Sequence, residues 1–139
     1  MGLGRVGCVA QAMGLIDTLP SSNLCFESSR PRVITVAGTN GKGSCVASLE
    51  QLLLQQGFSV GAYTSPHFLH YCERIRINGK SAVEADVCAA FASIDTARNE
   101  TSLTYFEFGT LAGLEVFRQH NVDFVLLEVG LGGRLDAVN

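Results

Sequence analysis

The sequence predicts an α/β fold: a phosphate-loop NTPase-like parallel sheet with flanking helices. Three observations predict it. Short apolar, β-branched runs at residues 33–37, 58–63 and 122–129 alternate with stretches of helical periodicity. A glycine-rich turn at 38–43 lies between the first run and a helix. A second glycine-rich stretch, 130–139, follows the last run.

The elements follow in order. Residues 6–15 read as a short helix. Segment 17–31 contains Pro20, Ser21, Ser22, Asn23, Ser28, Ser29 and Pro31 and reads as a loop. Residues 33–37 read as a buried strand. A helix is expected over 44–56, with Val46, Leu49, Leu52 and Leu53 on one face and Gly57 as its stop. Residues 58–63 form the next strand. Polar and apolar residues then alternate over 73–77, and Asn78-Gly79 is a hairpin signal. Ser81 and Glu84 have capping-box spacing and predict a helix to residue 98 with Val83, Val87, Phe91 and Ile94 inward. Thr104 and Glu107 repeat that spacing ahead of a helix to residue 119, in which Phe108, Leu111, Leu114 and Phe117 recur every three residues. Residues 122–129 are the last strand. No linker divides the chain.

Composition narrows the function classes. The 139 residues suit one domain or part of a larger one. Hydrophobic residues make up 47%, enough for a core, and charged residues 17%, below the ~25% usual for soluble domains. Net charge is −3 with no basic stripe, so nucleic acid is not an expected partner. The five cysteines are odd in number and form no C-x-x-C pair, which argues against a disulfide framework and a zinc site. No apolar run approaches the ~18 residues of a membrane span, and residues 1–14 lack the pattern of a secretory signal. The expected setting is the reducing cytoplasm.

The strongest motif is Gly38-Thr39-Asn40-Gly41-Lys42-Gly43-Ser44. Glycines let the backbone turn tightly and approach an anion, and successive N–H groups at a helix start face phosphates. Lys42 can neutralise terminal phosphates, and the Ser44 hydroxyl can meet a phosphate oxygen or a metal. Gly43 separates the lysine from the serine, unlike the usual G-x-x-x-x-G-K-[ST] loop, which weakens a generic kinase or GTPase reading. Ser65 follows the second strand at its carboxyl end, where open α/β sheets bind ligands, and its hydroxyl can meet Mg²⁺. Glu128 ends the last strand in the position of a Walker-B-type acid. Each has a plainer alternative: a turn at Ser65-Pro66, a solvated strand-end Glu128, an Arg134–Asp136 pair. His67 is given no role.

In register, the segments 35–44, 65–67, 103–107 and 127–137 resemble the bacterial folylpolyglutamate synthase/dihydrofolate synthase family of the Mur ligase superfamily. The resemblance runs from about Gly2 to Asn139 and is weakest over 17–31. It implies that Thr39, Asn40, Gly41, Lys42, Gly43 and Ser44 bind ATP phosphates, with Lys42 and Glu128 catalytic. It implies that Ser65 and Glu128 hold Mg²⁺, and that Thr104, Tyr105, Phe106, Glu107, Leu135, Asp136 and Ala137 line a pterin pocket. Thr104 and Glu107 have an alternative reading as a helix cap alone, and Phe106 has two readings, a stacking partner of the pterin or a core residue. The implied reaction is ATP-dependent ligation of L-glutamate to dihydropteroate or a folate through an acyl phosphate, in a monomer.

The family carries a further metal-ligand histidine, a modified lysine and a C-terminal glutamate-ligase domain beyond this point. The chain is therefore expected to be the N-terminal part of the ATP-binding domain and inactive by itself. The alternative is a nucleotide-binding module without turnover.

Overall fold

A computed structural model describes residues 3–16 and 31–130. The elements are α1 (Leu3–Ala12), β1 (Arg32–Val36), α2 (Lys42–Gln55), β2 (Val60–Tyr63), a 3-10 turn (Tyr71–Arg74), β3 (Ile75–Ile77), β4 (Lys80–Ser81), α3 (Glu84–Arg98), α4 (Tyr105–Gln119) and β5 (Phe124–Glu128). They form a five-stranded sheet in the order β1-β5-β2-β3-β4. The strands β1, β5 and β2 are parallel, as the alternation of strands and helices predicts. The hairpin β3–β4 adds an antiparallel arm, β3 pairing with β2 and β4 with β3, so the whole sheet is mixed. Asn78 (φ 51°) and Gly79 (φ 78°) make its turn with two left-handed residues, the conformation that an Asn-Gly hairpin signal encodes.

The two-residue period of the strands sends side chains to two cores. Tyr63, Val125 and Leu127 pack with α1, α3 and α4. Val60, Ala62, Phe124 and Leu126 pack beneath Val46 of α2. Helix α4 sits tight on β2: a Cβ at Gly61 would lie 2.4 Å from the Phe117 ring. On the other face, the Glu50 carboxylate, 2% exposed, accepts from Arg76 Nη2 at 2.8 Å, Arg76 Nε at 3.0 Å and the Gly79 N–H at 3.0 Å. Both Arg76 nitrogens converge on Oε2 while Gly79 takes Oε1, and this charge-assisted pair ties α2 to the hairpin.

Four sequence expectations need correction. Strand β1 is an edge strand, with Val33 57% exposed, because only one of its sides has a neighbour among the described residues. Leu52 faces solvent on α2, since Val46 and Glu50 define the buried side. Ser81 does not cap α3: pairing with Arg76 draws it into β4, and Val83 becomes the cap with no side-chain hydrogen bond. Val83 is accordingly exposed, and Ala90 joins Val87 and Ile94 inside. The segment 17–30, including Cys25, and the segment 131–139 lie outside the described residues.

Candidate active site

Three loops meet at the carboxyl edge of the parallel strands. The glycine-rich turn leaves β1, Thr64 and Ser65 leave β2, and Val129 leaves β5, which lies between them. Register puts Val36 beside Glu128 and Tyr63 beside Leu127, so the three exits are level. The Val129 N–H donates to the Val36 carbonyl at 3.0 Å and fastens the turn's base to β5.

The turn enters α2 through Gly41 at φ 76°, ψ 5°. This left-handed conformation requires glycine for its backbone and not for room, since a Cβ there would meet nothing within 4 Å. Gly41 offers α2 no side-chain cap. The N–H groups of the first turn therefore open to the space above the loop. Lys42 reaches back over them, its Nζ donating to the Gly38 carbonyl at 3.0 Å. Thr39, Asn40, Gly43 and Ser44 are exposed along the same rim.

Glu128 faces this rim from beneath. A Cβ at Gly43 would lie 3.9 and 4.0 Å from its two carboxylate oxygens. Glu128 Oε2 accepts from the Ser65 N–H at 3.0 Å. The side chain is 6% exposed, yet no cationic residue pairs with it among the described residues. A buried carboxylate with one neutral donor is under-compensated and favours a cation. No group of three His, Cys, Asp or Glu side chains gathers here among the described residues. The donor set is one carboxylate beside the Ser65 backbone, which suits a hard ion that keeps waters and phosphate ligands, such as Mg²⁺, and not a closed protein cage. The structure thus brings together Lys42, Gly43, Ser65 and Glu128, from three sequence-distant motifs.

The second predicted cluster lies across the sheet, at the start of α4. Thr104 caps the helix: its Oγ1 accepts from the Glu107 N–H at 3.2 Å, and Glu107 Oε2 accepts from the Thr104 N–H at 2.7 Å. Arg5 Nη2 of α1 stands 3.6 Å from the same Oε2. The Glu107 carboxylate is buried and engaged within the fold. Phe106 is half-buried against Tyr63, ring centroids 6.2 Å apart, whereas Tyr105 is 62% exposed. Leu135, Asp136 and Ala137 fall outside the described residues.

Beside this cap lies a cavity of about 300 Å³, lined by Tyr71, Phe91, Leu103, Thr104, Tyr105 and Phe108. Its walls are aromatic: Tyr71 meets Phe91 and Tyr105 edge-on at 5.4 and 5.8 Å, and Phe91 meets Phe108 at 5.4 Å. Sequence reasoning found Thr104 and Tyr105 but missed Tyr71 and Arg74, the latter read only as a polar place in an alternating strand. His67, left without a role, accepts from Arg74 Nε on its Nδ1 at 2.8 Å. No local signal marks these residues, because sequence-distant segments bring them together.

Comparison with known proteins follows the same lines. No family model matches the sequence. Escherichia coli dihydrofolate synthase/folylpolyglutamate synthase is 48% identical over 139 residues, 100% of this chain and 30% of that protein. The protein of the same name from Haemophilus influenzae is 48% identical over 139 residues, covering 100% and 29%. The structure of E. coli FolC in complex with DHPP and ADP matches with a TM-score of 0.87 at 47% identity, covering 99% of this chain and 31% of that one. The bifunctional Yersinia pestis enzyme complexed with AMPPNP and Mn ion matches with a TM-score of 0.87 at 49% identity, with the same coverage. The chain spans about 30% of the length of the curated relatives it matches. By sequence and fold alike, its strong homologues are dihydrofolate synthase/folylpolyglutamate synthases, matched over about 30% of their length.

Proposed function

We propose that this chain supplies the ATP-binding part of a Mg²⁺-dependent ligase that joins L-glutamate to dihydropteroate or a folate. The observation that carries the reading is the approach of the buried Glu128 carboxylate, which pairs with no cation among the described residues, to Gly43 of the open glycine-rich turn. The relatives' ligands, ADP with DHPP in one and AMPPNP with Mn ion in another, support the same assignment. Residues 1–139 then form the N-terminal part of the ATP-binding domain. No helix among the described residues is long and apolar enough to cross a membrane. A cytoplasmic monomer is the expected form of the whole protein.

On this reading, the N–H groups of Thr39, Asn40, Gly41, Gly43 and Ser44 hold the phosphates, and Lys42 exchanges its Gly38 carbonyl for a phosphate oxygen. Glu128 and Ser65 would hold Mg²⁺, which offsets charge on the transferring phosphoryl group when bound. Gly43 keeps the helix start within reach of Glu128. A larger side chain there would stand between the carboxylate and the phosphates. Thr104, Tyr105 and Phe106 face the acid substrate, with Glu107 holding the helix start in place. A carboxylate of dihydropteroate or a folate is phosphorylated by ATP, and the glutamate amine then displaces phosphate to form the amide.

Glutamate-dependent ADP release tests this on the intact protein with dihydropteroate and Mg·ATP. Turnover that requires all three substrates and disappears in Lys42→Ala supports the proposal. ATP binding without glutamate-dependent turnover would leave a nucleotide-binding module and reject the ligase.

A further inference from the structure

A second polar arrangement stands on the α4 face of the sheet. Arg74 ends the 3-10 turn and is 9% exposed, yet no carboxylate pairs with it among the described residues. Its Nε donates to His67 Nδ1, which places the proton of a neutral imidazole on Nε2. Its guanidinium carbon lies 5.7 Å over the Tyr71 ring and 5.5 Å over the Tyr105 ring. An imidazole and two ring faces orient the group without cancelling its charge. Buried arginines are ordinarily paired with acids, so this one is an exception that asks for an anion.

Two tyrosine hydroxyls converge beside it. The Tyr63 hydroxyl is buried with no well-formed hydrogen bond among the described residues, and burial pushes its pKa up against the opposing pull of the neighbouring Arg74 and Thr110 side chains, which leaves it a neutral phenol. Both the Tyr71 and Tyr63 hydroxyls come over Gly109, where an added Cβ would lie 2.4 and 2.8 Å from them. Gly109 is therefore small because two phenols occupy its space. The Arg74 side chain lies beside the Tyr63 hydroxyl, and no carboxylate serves either of them among the described residues. Tyr71 and Tyr105, the rings that carry Arg74, also wall the aromatic cavity with Phe91, Leu103 and Phe108.

We infer that Arg74, assisted by Tyr63 and Tyr71, is the recognition point for the carboxylate of an aromatic acid whose ring packs against that cavity's walls. With Nε committed to His67, the two terminal nitrogens keep a fork that matches a carboxylate. The acid would supply both the missing countercharge of Arg74 and the missing acceptor of Tyr63. The identity of the natural acid rests on the ligase reading above, since dihydropteroate ends in an aryl carboxylate. The site itself rests on the Arg74–Tyr63–Tyr71 geometry.

The test uses 4-aminobenzoate and aniline, which differ by the carboxylate alone, as ligand-observed NMR probes of the intact protein. Wild type binds 4-aminobenzoate at least about 10-fold more tightly than aniline. Arg74→Gln loses about 10- to 100-fold for 4-aminobenzoate and nothing for aniline. Tyr63→Phe removes the orphan hydroxyl, keeps the ring, and weakens 4-aminobenzoate about 3-fold. Equal affinity of wild type for the two probes, or equal losses for both in Arg74→Gln, overturns the inference. Should Arg74→Gln not fold, unchanged discrimination in both Tyr63→Phe and Tyr71→Phe overturns it as well. Assaying ADP release in the same samples separates the two readings. Arg74-dependent binding of 4-aminobenzoate without glutamate-dependent ADP release keeps the anion site and rejects the ligase. ADP release whose KM for dihydropteroate ignores Arg74 keeps the ligase and rejects the anion site.

Discussion

Helices α2 and α4 begin at the same edge of the sheet, on opposite faces, and their N-termini are built in opposite ways. Helix α4 is closed by its own side chains, Thr104 and Glu107 satisfying each other's backbone donors. Helix α2 starts on a left-handed glycine and has no side-chain cap. A helix N-terminus carries about half a positive charge and several unmet N–H groups, so leaving one open has an energetic cost. The fold closes α4 and leaves α2 open beside a buried carboxylate that pairs with no cation among the described residues. On the proposed reading, the open start of α2 takes the phosphates, while the mutual cap of Thr104 and Glu107 holds the start of α4 in place.

The comparison can be broken at several points. The largest effect is expected from Lys42→Ala, which should weaken nucleotide binding about 100-fold by removing a charge-assisted contact while leaving stability unchanged. Calorimetry with ATP on the intact protein checks this, and unchanged affinity would remove Lys42 from the site. Glu128→Gln should raise the metal concentration at half-maximal activity about 10-fold, because the amide cannot supply the anionic ligand. Its oxygen can still accept from the Ser65 N–H, so no loss of stability accompanies the change. Identical metal titrations would exclude Glu128 as a ligand.

Two smaller effects sharpen the contrast. Gly41→Ala should destabilise by about 1–2 kcal/mol, read from urea unfolding, through its left-handed backbone alone. Thr104→Ala should destabilise by about 1 kcal/mol as a lost N-cap, with nucleotide affinity unchanged. The mildest effect concerns pH. The N–H groups of Phe68, His70 and Leu69 bond to Glu73 and hold its carboxyl below the usual range. A depressed folded pKa contributes stability that is present above the unfolded value and lost as pH falls through the folded one. Amide exchange at Phe68 and His70 should therefore accelerate, relative to the intrinsic rate, only below the ordinary carboxylate range, and Glu73→Gln should show that acceleration at neutral pH.

How much was legible follows from distance along the chain. The cap of α4 was readable because its partners are three residues apart, and the Asn78-Gly79 turn because two adjacent residues fix it. The glycine-rich turn between β1 and α2 was readable from glycine spacing between a strand and a helix. The same spacing logic misled at Ser81, where a long-range pairing with Arg76 took precedence over a local cap. Edge exposure of Val33 and solvent exposure of Leu52 are also decided by neighbours that local patterns do not name. The Ser65–Glu128 contact spans 63 residues, and only the rule that ligands gather at strand ends pointed toward it. Arg74 with Tyr63 and Tyr71 had no signal, because an unpaired arginine looks in sequence like any other.

The most direct test measures how far Mg·ATP raises the melting temperature of the intact protein in wild type, Lys42→Ala and Thr104→Ala. A ligand that binds only the folded state stabilises it by RT ln(1 + L/Kd), where L is the free ligand concentration. Thr104→Ala is predicted to melt lower than wild type and to show the full ATP-induced rise, whereas Lys42→Ala melts like wild type and shows none. A full rise in Lys42→Ala, or its loss in Thr104→Ala, would contradict the assignment of the open helix to the nucleotide and the closed one to support.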